Sequence, residues 1–487
     1  MTGVRLRFAP SPTGYLHIGG LRTALYNYLY AKGHDGKFIL RIEDTDRTRF
    51  VEGALENLIR SLQWAGITYD EGVFLNADGS LEQRGEFGPY IQSERMAEGI
   101  YDRYIEDLLE RGDAYYCFCS KERLDHLREQ QKSDGLIPRY DGLCRAVTLE
   151  EARERVAAGE EHVIRLKLPV NRDIVVMDEV KGKIVINTND MDDQVLIKSD
   201  GFPTYHFAVV VDDHLMGITH IVRGDEWLPS TPKHVYLYEV FGWQAPVFVH
   251  LPTVLNRDRK KLSKRNDDVA VEDFIAQGYL PEGLVNYLAL VGWSPDSTEE
   301  ILTMEELVEQ FGFERVSKTG GIFDRDKLNW VNAHHIKKYS DEELGELLKP
   351  YLLEEKLITG DYPAAKLTLL GNTFKDSLDR LMDIQAQARF LFIDQVDITE
   401  ADAVEYAAKE HVPALRTAFI EALNEVEVVD EAFAKSIMKR IQKQTGVKGK
   451  DLFMPMRALL TGKVHGPELV NVIQLLGKDI LLKRLTD

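Results

Sequence analysis

The order of hydrophobic and polar residues predicts that the N-terminal part of the chain alternates strands and helices. Val4, Leu6 and Phe8 are separated by arginines, a period of two that indicates a strand with one buried face. Residues 9–14 are rich in proline and glycine and predict a loop. The apolar positions that follow have a helical period that ends near Gly33. A strand, a loop and a helix in succession form the first unit of a doubly wound α/β sheet.

The alternation continues along the chain with one interruption. Further strands are predicted at residues 36–42, 205–211, 220–223 and 247–255, and a further helix at residues 51–65. The interruption is residues 111–190, which contain all three cysteines and a charged helical stretch at 121–132. We interpret this segment as an insertion between the two halves of one sheet domain.

The C-terminal part of the chain is predicted to be helical. From residue 331 the apolar positions keep a helical period and no alternating strand pattern is visible. Ser340 and Glu343 have the spacing of a capping box, which begins a helix. Earlier pairs with this spacing are Thr148 with Glu151 and Thr303 with Glu306. Most of the prolines at 350, 363, 413, 455 and 467 are expected to mark helix ends.

The predicted fold class is therefore α/β: a doubly wound, parallel, Rossmann-type domain with an insertion, followed by an all-α region. The predicted segments are the first half of the sheet domain at 1–110, the insertion at 111–190, the second half at 191–255, a region with a basic loop at 256–330 and the helical region at 331–487.

Composition narrows the class of protein. The chain has 487 residues, enough for two or more domains, and 44% of them are hydrophobic. No run of about 18 uninterrupted apolar residues is present, so no membrane span is expected. The first strand begins too early for a secretory signal, and three cysteines in this length argue against a disulfide framework. These features predict a cytoplasmic protein with no membrane partner.

A cluster of basic residues stands out because the chain carries a net charge of −20. Six of the nine residues from Arg257 to Arg265 are cationic, and Leu262 is the single apolar one. A charge run is usually a solvated face. In so acidic a chain it favours a local anion site, where lysines can follow the charge that builds on a departing phosphate group.

The loop and helix start after the first strand have the features of a phosphate site. Backbone N–H groups at a helix N-terminus favour an anion. Gly19 and Gly20 remove side-chain bulk where a nucleotide must approach, and His17 can donate to a phosphate oxygen. Taken alone, these residues fit an ordinary strand–helix turn with a satisfied histidine at least as well. The presence of the basic cluster makes a nucleotide-binding site the better interpretation of this turn.

Together the two segments resemble the paired signatures of class I aminoacyl-tRNA synthetases, usually His-Ile-Gly-His and Lys-Met-Ser-Lys-Ser. This chain has His-Ile-Gly-Gly at 17–20 and Lys-Leu-Ser-Lys-Arg at 261–265, and the glutamyl branch commonly shows both departures. Other stretches resemble bacterial glutamyl-tRNA synthetases over almost the whole chain. They are residues 41–46, 205–206, 211–214, 223–227, 288–294, 450–455 and 462–469.

The resemblance implies a glutamate–tRNA ligase that activates L-glutamate with ATP and transfers it from glutamyl-adenylate to the 3′-terminal adenosine of tRNA(Glu). AMP and pyrophosphate are the other products, and Mg²⁺ accompanies ATP. The resemblance also implies that activation requires tRNA, and that the enzyme is a monomer without an obligate protein partner. Whether tRNA(Gln) is a second acceptor stays open.

The resemblance also suggests roles for residues and segments. His17, Lys261 and Lys264 are expected to be catalytic, and these three bind ATP together with Gly19 and Gly20. The insertion is expected to bind the tRNA acceptor end, residues 256–330 the stem, and the helical region the anticodon. Candidates for a basic RNA contact in the helical region are Lys435, Lys439, Arg440, Lys443, Lys448, Lys450 and Arg457. The alternative is that they are helix-surface residues that maintain solubility.

A pocket for glutamate needs two cationic groups and one anionic group. Arg7 and Arg223 each lie at the end of a predicted strand, where open α/β sheets bind ligands, and an arginine fork suits a carboxylate. Glu43, also at a strand end, matches the ammonium group, and Tyr205 and Ser11 offer hydroxyls. An ordinary ion pair is the more common role of a single arginine. The set of three beside recognisable motifs outweighs that reading.

The resemblance places these five residues, and also Ala9, at the glutamate. The chain departs from the family at Val209, where some members have an asparagine. Valine makes no hydrogen bond, so that contact is expected to be absent or replaced by water.

Three cysteines lie close together in the insertion. Cys117, Cys119 and Cys144 in a cytosolic enzyme indicate structural zinc, which needs a fourth ligand. His126, Tyr140 and water are the options, and three incidental packed thiols are the alternative to a metal. Cys-x-Cys followed by Tyr-x-x-x-Cys resembles the zinc site of a subset of the family, and this resemblance implies Tyr140.

Two other functions compete with the ligase. A nucleotidyltransferase shares the His-x-Gly fold, but it needs no long helical region. A catalytically silent tRNA-binding paralogue does not need His17, Lys261 and Lys264, which are all present. A short paralogue that glutamylates a modified tRNA base lacks the C-terminal domain, so the length of this chain argues against it.

Overall fold

The computed structural model describes residues 3–45, 51–262 and 269–486. The chain forms two compact units. The first consists of Met1–Asp273 and Val285–Asp324, and the second of Phe274–Leu284 and Arg325–Asp487.

The strands of the described residues all belong to the first unit. They are β1 (Arg5–Phe8), β2 (Lys37–Leu40), β3 (Glu71–Leu75), β4 (Leu81–Arg84), β5 (Ala114–Cys117), β6 (Val163–Leu166), β7 (Asp173–Asp178), β8 (Gly182–Asn187), β9 (Val195–Ile197), β10 (His220–Gly224) and β11 (Val247–Leu251).

The helices occur in both units. They are α1 (Ile18–Gly33), α2 (Ala54–Trp64), α3 (Gln92–Ala97), α4 (Asp102–Arg111), α5 (Lys121–Ser133), α6 (Leu149–Ala157), α7 (Tyr205–Leu215), α8 (Thr231–Phe241), α9 (Val271–Ala276), α10 (Pro281–Leu290), α11 (Met304–Gln310), α12 (Arg325–Ile336), α13 (Asp341–Glu354), α14 (Ala364–Phe374), α15 (Asp383–Ala388), α16 (Ala401–Ala407), α17 (Val412–Asn424), α18 (Glu431–Thr445), α19 (Lys450–Thr461) and α20 (Leu469–Thr486).

The first unit is built on a sheet of eight strands in the order β4-β3-β2-β1-β10-β11-β7-β8. The six inner strands are parallel, and an antiparallel neighbour closes each edge. The central strands are almost fully buried, as expected when helices cover both faces of a parallel sheet. The predicted doubly wound fold is therefore confirmed, as are the strands at β1, β2, β10 and β11.

One predicted strand is wrong, because residues 205–211 begin the helix α7. The run Val209–Val211 is β-branched and favours a strand by propensity, yet a short apolar run cannot distinguish a strand from a buried helix. All three valines are buried in α7, and the two aspartates that follow them make ion pairs in the interior.

The segment 111–190 does not form one separate body. Strands β5, β6 and β9 make a small antiparallel sheet, whereas β7 and β8 join the edge of the large sheet through β11. The sequence pattern predicted no strands in this segment, and strand pairing depends on residues distant in the chain. The inserted sheet also extends past residue 190, since β9 belongs to it.

The second unit is helical throughout its described residues, as the periodicity predicts. Leucine, isoleucine and phenylalanine side chains from α13, α14, α17, α18 and α20 form one continuous core. Both side-chain and backbone bonds of the capping box are present at Ser340 and Glu343.

Of the five prolines after residue 331, Pro363 and Pro413 lie at helix starts and Pro467 lies two residues before α20, but Pro350 and Pro455 lie inside α13 and α19. A proline inside a helix leaves the carbonyl four residues earlier without its usual donor. For Pro455 this is the carbonyl of Asp451, which lies 2.9 Å from Nε2 of His411. A distant side chain thus compensates for the missing bond.

Candidate active site

The sheet order creates a ligand-binding position between β1 and β10. The chain runs outward from β1 through β2 and β3 and later returns on the other side of β1, so the strand order reverses there. Open α/β sheets bind ligands at this point, beyond the carboxyl ends of the strands. Arg7 of β1, Arg223 of β10 and Glu43, which follows β2, all lie at this edge.

A buried network of four charges lies on one side of this position. Arg7 Nε and Nη2 donate to the two carboxylate oxygens of Asp213 at 2.9 and 3.2 Å. Arg41 Nη1 lies 2.7 Å from Asp213, and its Nη2 donates to Glu43 at 2.9 Å. Two guanidiniums therefore face two carboxylates. Arg7, expected at the substrate, is also part of an internal ion pair.

Burial acts differently on the two carboxylates of this network. Burial raises the pKa of Glu43, because the opposing effects of Arg41 and Arg7 do not compensate fully. Burial acts the same way on Asp213, but the guanidiniums of Arg41 and Arg7 outweigh it and hold the pKa of Asp213 below its usual range. Asp213 is thus the firmly ionised anchor for both arginines.

Arg223 has different surroundings, because the side chains that contact its guanidinium are neutral. Its Nε donates to His250 Nε2 at 3.1 Å, its Nη2 to Thr231 Oγ1 at 2.9 Å and its Nη1 to the Tyr205 hydroxyl at 3.1 Å. His234 Nδ1 lies 3.3 Å from both terminal nitrogens. Arg223 is 5% exposed, and no carboxylate of the described residues lies within 4.0 Å of it.

Tyr205, at the start of α7, lies between the two arginines. Burial raises the pKa of its hydroxyl against the attraction of Arg223, and Glu43 and Arg7 are also near enough to affect it. Its ring packs on that of Trp227, with 4.3 Å between the centroids. Of the two remaining residues expected at the glutamate, Ala9 is half-buried and Ser11 is exposed, both on the loop after β1.

His17 and the two glycines form the N-terminus of α1. His17 is the N-cap, and its Nδ1 accepts from the backbone N–H of Gly20 at 3.1 Å. In the neutral ring the proton then resides on Nε2, which is the donor needed for a phosphate oxygen. A Cβ on Gly19 would lie 3.1 Å from the His17 ring, and one on Gly20 would lie 2.9 Å from Leu16. Both glycines therefore allow the close packing of this turn.

The helix start offers fewer free backbone donors than the sequence suggests. The N–H of Ile18 donates to the Val269 carbonyl at 2.9 Å, and that of Gly20 donates to His17. Val269 is the first described residue after the basic segment, so this hydrogen bond joins the start of α1 to the chain that follows that segment.

The first signature meets a residue that follows the basic loop, since His17 and Ala270 form an antiparallel bridge. A second antiparallel bridge joins Leu255 and Lys261 and so pairs the start of the loop with its first signature lysine. Lys261 is exposed. Lys264, the other lysine expected in catalysis, lies outside the described residues, as do residues 263 and 265 of the signature.

The three cysteines and Tyr140 form a compact cluster in the inserted subdomain. The three sulfur atoms lie within 4.8 Å of one another, and those of Cys119 and Cys144 are 3.6 Å apart. The Tyr140 hydroxyl lies 3.4 Å from the sulfur of Cys117 and 3.6 Å from that of Cys119. It also accepts from the backbone N–H of Cys144 at 2.9 Å.

Electrostatics around this cluster favour a thiolate at Cys117 and a protonated thiol at Cys119. Burial alone raises the pKa of Cys117, but hydrogen bonds from Tyr140 and Arg165 hold it below its usual value. Burial raises the pKa of Cys119 to about 11. Burial and the hydrogen bond to Cys117 raise the pKa of Tyr140 well above its ordinary value.

Comparison with known proteins assigns the family. Residues 3–330 match the family described as tRNA synthetases class I (E and Q), catalytic domain, and residues 343–487 match an anticodon binding domain. The chain belongs to the class I tRNA synthetases of the E and Q family. E and Q stand for glutamate and glutamine, so the nucleotidyltransferase alternative is not supported.

Relatives of this synthetase match it over their full length. It is 60% identical over 485 residues to a glutamate–tRNA ligase of Finegoldia magna, covering 100% of this chain and 99% of the relative. It is 56% identical to a glutamate–tRNA ligase of Alkaliphilus metalliredigens, covering 100% and 98%. A crystal structure of a glutamate tRNA ligase from Elizabethkingia meningosepticum in complex with its amino acid matches with a TM-score of 0.87 at 35% identity, covering 99% and 98%.

Four residues that hold the site of this synthetase together are not among the predicted site residues. Arg41 and Asp213 lie within stretches that resemble the family, and His234 and His250 lie outside them. The available signal was the position of charged or polar residues directly inside apolar runs, which indicates buried polar groups with partners.

No helix of the part of the chain that the structure describes is long and apolar enough to span a membrane.

Proposed function

We propose that this class I synthetase ligates L-glutamate to tRNA(Glu) with ATP. A glutamate carboxylate oxygen attacks the α-phosphorus of ATP, the bond to the β-phosphate oxygen breaks, and pyrophosphate leaves. A ribose hydroxyl of the terminal adenosine then attacks the acyl carbon of glutamyl-adenylate, and AMP leaves. Positioning of the reactants and stabilisation of phosphate charge supply most of the catalysis in such a reaction.

The charge balance of the pocket carries the choice of glutamate. Arg7 and Arg41 face Asp213 and Glu43, so these four charges cancel when both carboxylates are ionised. Arg223 adds one positive charge that only neutral groups contact. Free glutamate carries one net negative charge and glutamine carries none. Glutamine would therefore leave a desolvated guanidinium without a counter-charge, and this is costly.

Each predicted residue receives a role in this pocket. The two carboxylates of glutamate bind Arg7 and Arg223, and Glu43 binds the ammonium group. The hydroxyl of Tyr205, already beside Arg223, and the loop residues Ala9 and Ser11 complete the contacts. Val209 is buried inside α7 and contributes none, as its side chain predicts.

The ATP site lies at the start of α1. His17 donates from Nε2 to a phosphate oxygen, and Gly19 and Gly20 allow the nucleotide to approach the backbone. Lys261, with Lys264, stabilises the charge on the departing pyrophosphate. Support for this arrangement comes from the bridge between His17 and Ala270, which joins a residue that follows the basic segment to the first signature. Mg²⁺ enters as part of the substrate, bound to ATP.

Glutamylation of two purified transcripts, tRNA(Glu) and tRNA(Gln), each with and without ATP, tests the function. We expect ATP-dependent charging of tRNA(Glu). Charging of tRNA(Glu) alone would indicate a discriminating enzyme, and charging of both transcripts an enzyme that also serves tRNA(Gln). If neither transcript is charged by an active-site-titrated preparation, the proposal is wrong.

The cysteine cluster fits a structural zinc ion with Tyr140 as the fourth ligand. Zinc binds thiolates at about 2.3 Å in a tetrahedron, which places the sulfurs about 3.8 Å apart. The 3.6 Å between Cys119 and Cys144 and the 3.4 Å from Cys117 to the Tyr140 oxygen agree with this geometry. His126, the competing ligand, is exposed on α5 and lies outside the group of converging ligands.

Metal analysis of protein purified without chelator tests the zinc site. We expect one zinc per chain in the wild type, loss of zinc in Cys144→Ser, and an affinity weakened about 10- to 100-fold in Tyr140→Phe. His126→Ala is the matched control and should keep its zinc. A wild type without zinc, or loss of the metal in His126→Ala but not in Tyr140→Phe, would contradict this ligand set.

A further inference from the structure

A line of buried polar side chains extends behind Arg223, away from the cleft. Asp178 of β7 lies 2.6 Å from His250 Nδ1, and His250 Nε2 accepts from Arg223. On another side of the guanidinium, His234 Nδ1 faces Arg223, and its Nε2 lies 3.0 Å from His206 Nδ1. Asp178, His250 and His234 are at most 5% exposed.

The hydrogen bonds of Asp178 determine which nitrogen of His250 carries the proton. Asp178 accepts from the backbone N–H groups of Val180, Lys181 and His250 at 3.0, 2.7 and 3.1 Å. Against the effect of burial, the hydrogen bond from His250 and these N–H groups hold the pKa of Asp178 below its usual range. The carboxylate therefore accepts from Nδ1–H of His250, and Nε2 of the neutral ring keeps a lone pair.

This lone pair fixes the orientation of Arg223. With the proton on Nε2 instead, two donors would face each other across the 3.1 Å between His250 and Arg223. Burial and the charge of Arg223 both lower the pKa of His250, against the effect of Asp178, so the ring is neutral. With Nε held by His250 and Nη2 by Thr231, the remaining corner, Nη1, lies beside Tyr205.

His234 and His206 lie on the other edge of the guanidinium and also stay neutral. Burial and Arg223 hold the pKa of His234 well below its usual value, and burial lowers that of His206 to about 4. Both rings thus keep an acceptor nitrogen available, and neither supplies a counter-charge that would replace a bound carboxylate.

We propose that Asp178 and His250 are positioning residues, which hold Arg223 in the orientation that binds a glutamate carboxylate. The inference rests on the proposed function. According to this inference, the neighbouring strands β7 and β11 contribute to substrate selection. The two residues act through Arg223 and do not contact glutamate, so their effect should appear in the affinity for glutamate and not for ATP.

Two substitutions of His250 distinguish the loss of the hydrogen bond to Arg223 from the loss of the imidazole ring itself. In His250→Gln the amide oxygen can reach the place of Nε2 and accept from Arg223, whereas in His250→Asn the shorter side chain cannot. We expect the KM for glutamate in tRNA-dependent pyrophosphate exchange to rise about tenfold or more in His250→Asn and clearly less in His250→Gln. The KM for ATP should stay within about twofold of wild type in both variants.

Two further variants make the comparison specific. Asp178→Asn allows His250 to reverse its tautomer and should also raise the KM for glutamate. His220→Asn, on the same strand as Arg223 but half-buried and hydrogen-bonded to Thr219, is the matched control and should leave both KM values unchanged. Because KM does not depend on the amount of folded enzyme, partial misfolding of a variant does not imitate the effect.

Nitrogen-15 NMR of histidine-labelled wild type provides a second readout that needs no variant. His250 should show the pattern of a neutral ring with the proton on Nδ1. A proton on Nε2, or equal glutamate KM values in wild type and His250→Asn, would overturn the positioning role. A wild type that charges no tRNA would instead overturn the proposed function, so the two failures are distinguishable.

Discussion

At the residue scale, the site depends on adjacent acidic residues that have different partners. Asp212 and Asp213 are neighbours on α7, and successive helical residues point about 100° apart. Asp213 accepts from Arg7 and Arg41. Asp212 accepts from Arg95, Gln92 and Tyr101 at 2.7, 2.8 and 3.0 Å. One helix turn therefore connects the sheet edge to the helices beside it.

Because its charge has no counter-charge in the pocket, Arg223 is the pocket residue whose substitution should affect glutamate binding most. We expect Arg223→Ala to lower kcat/KM for glutamate in pyrophosphate exchange, with tRNA present, by roughly 10²- to 10³-fold, because a buried charge partner is lost. Arg172→Ala is the control. Its guanidinium pairs with Glu239 on the surface at 2.6 Å, and such pairs contribute little. Near wild-type exchange by Arg223→Ala would exclude this residue from glutamate binding.

At the scale of elements, helices bring buried titratable groups into places where they cannot be solvated. His335 of α12 is 3% exposed, and burial, with a smaller effect of Lys338, lowers its pKa to about 4. His334 also lowers it, and Glu282 opposes both. The folded pKa lies below the ordinary value of 6.5, so the unfolded chain binds more protons between about pH 4 and 6.5. Stability of the helical unit should therefore fall as the pH falls through this window.

Urea unfolding measured between pH 4.5 and 7.5 isolates this contribution. In His335→Asn we expect the slope of unfolding free energy against pH to decrease by up to about 1.4 kcal/mol per pH unit, the value for one proton. His465→Asn should keep the wild-type slope, since this histidine is exposed in the folded chain. An unchanged slope in His335→Asn would mean that His335 does not titrate abnormally.

At the scale of the whole molecule, an acidic chain presents a local basic surface. Lys435, Lys439 and Lys443 recur every four residues on α18 and are exposed, so they lie along one face of the helix. Lys435 pairs with Glu431, but no carboxylate of the described residues lies within 4.0 Å of Lys439 or Lys443. These two lysines are our candidates for contacts to tRNA phosphates.

The salt dependence of tRNA binding tests these contacts. In the double variant Lys439→Ala, Lys443→Ala we expect a higher KM for tRNA and an unchanged KM for glutamate. The plot of log KM for tRNA against log salt concentration should become shallower by about 0.7 to 0.9 for each lysine that contacts a phosphate. Lys483→Ala, whose ammonium already pairs with Asp394 at 2.8 Å, is the control. An identical slope in the double variant would place the RNA elsewhere.

The sequence by itself determined the features that depend on neighbouring residues. The period of apolar positions predicted β1, α1 and the helical region after residue 331, and the spacing of Ser340 and Glu343 predicted a capping box that the structure contains. The two signature segments and the cysteine spacing identified the family and the candidate sites. Such signals are local, because turn chemistry and periodicity involve residues a few positions apart.

Only the tertiary structure decided which groups face each other. Residues 205–211 are a helix although their valines favour a strand, because tertiary packing overrides propensity. β7 belongs to the large sheet through β11, a partner about 70 positions further along the chain, which a local pattern does not reveal. Arg7 meets Asp213 across 206 positions, and Arg223 meets His250 across 27. No sequence period encodes such contacts. They arise when packing removes water and buried polar groups must find hydrogen-bond partners, which is why the charge balance of the pocket emerged only from the fold.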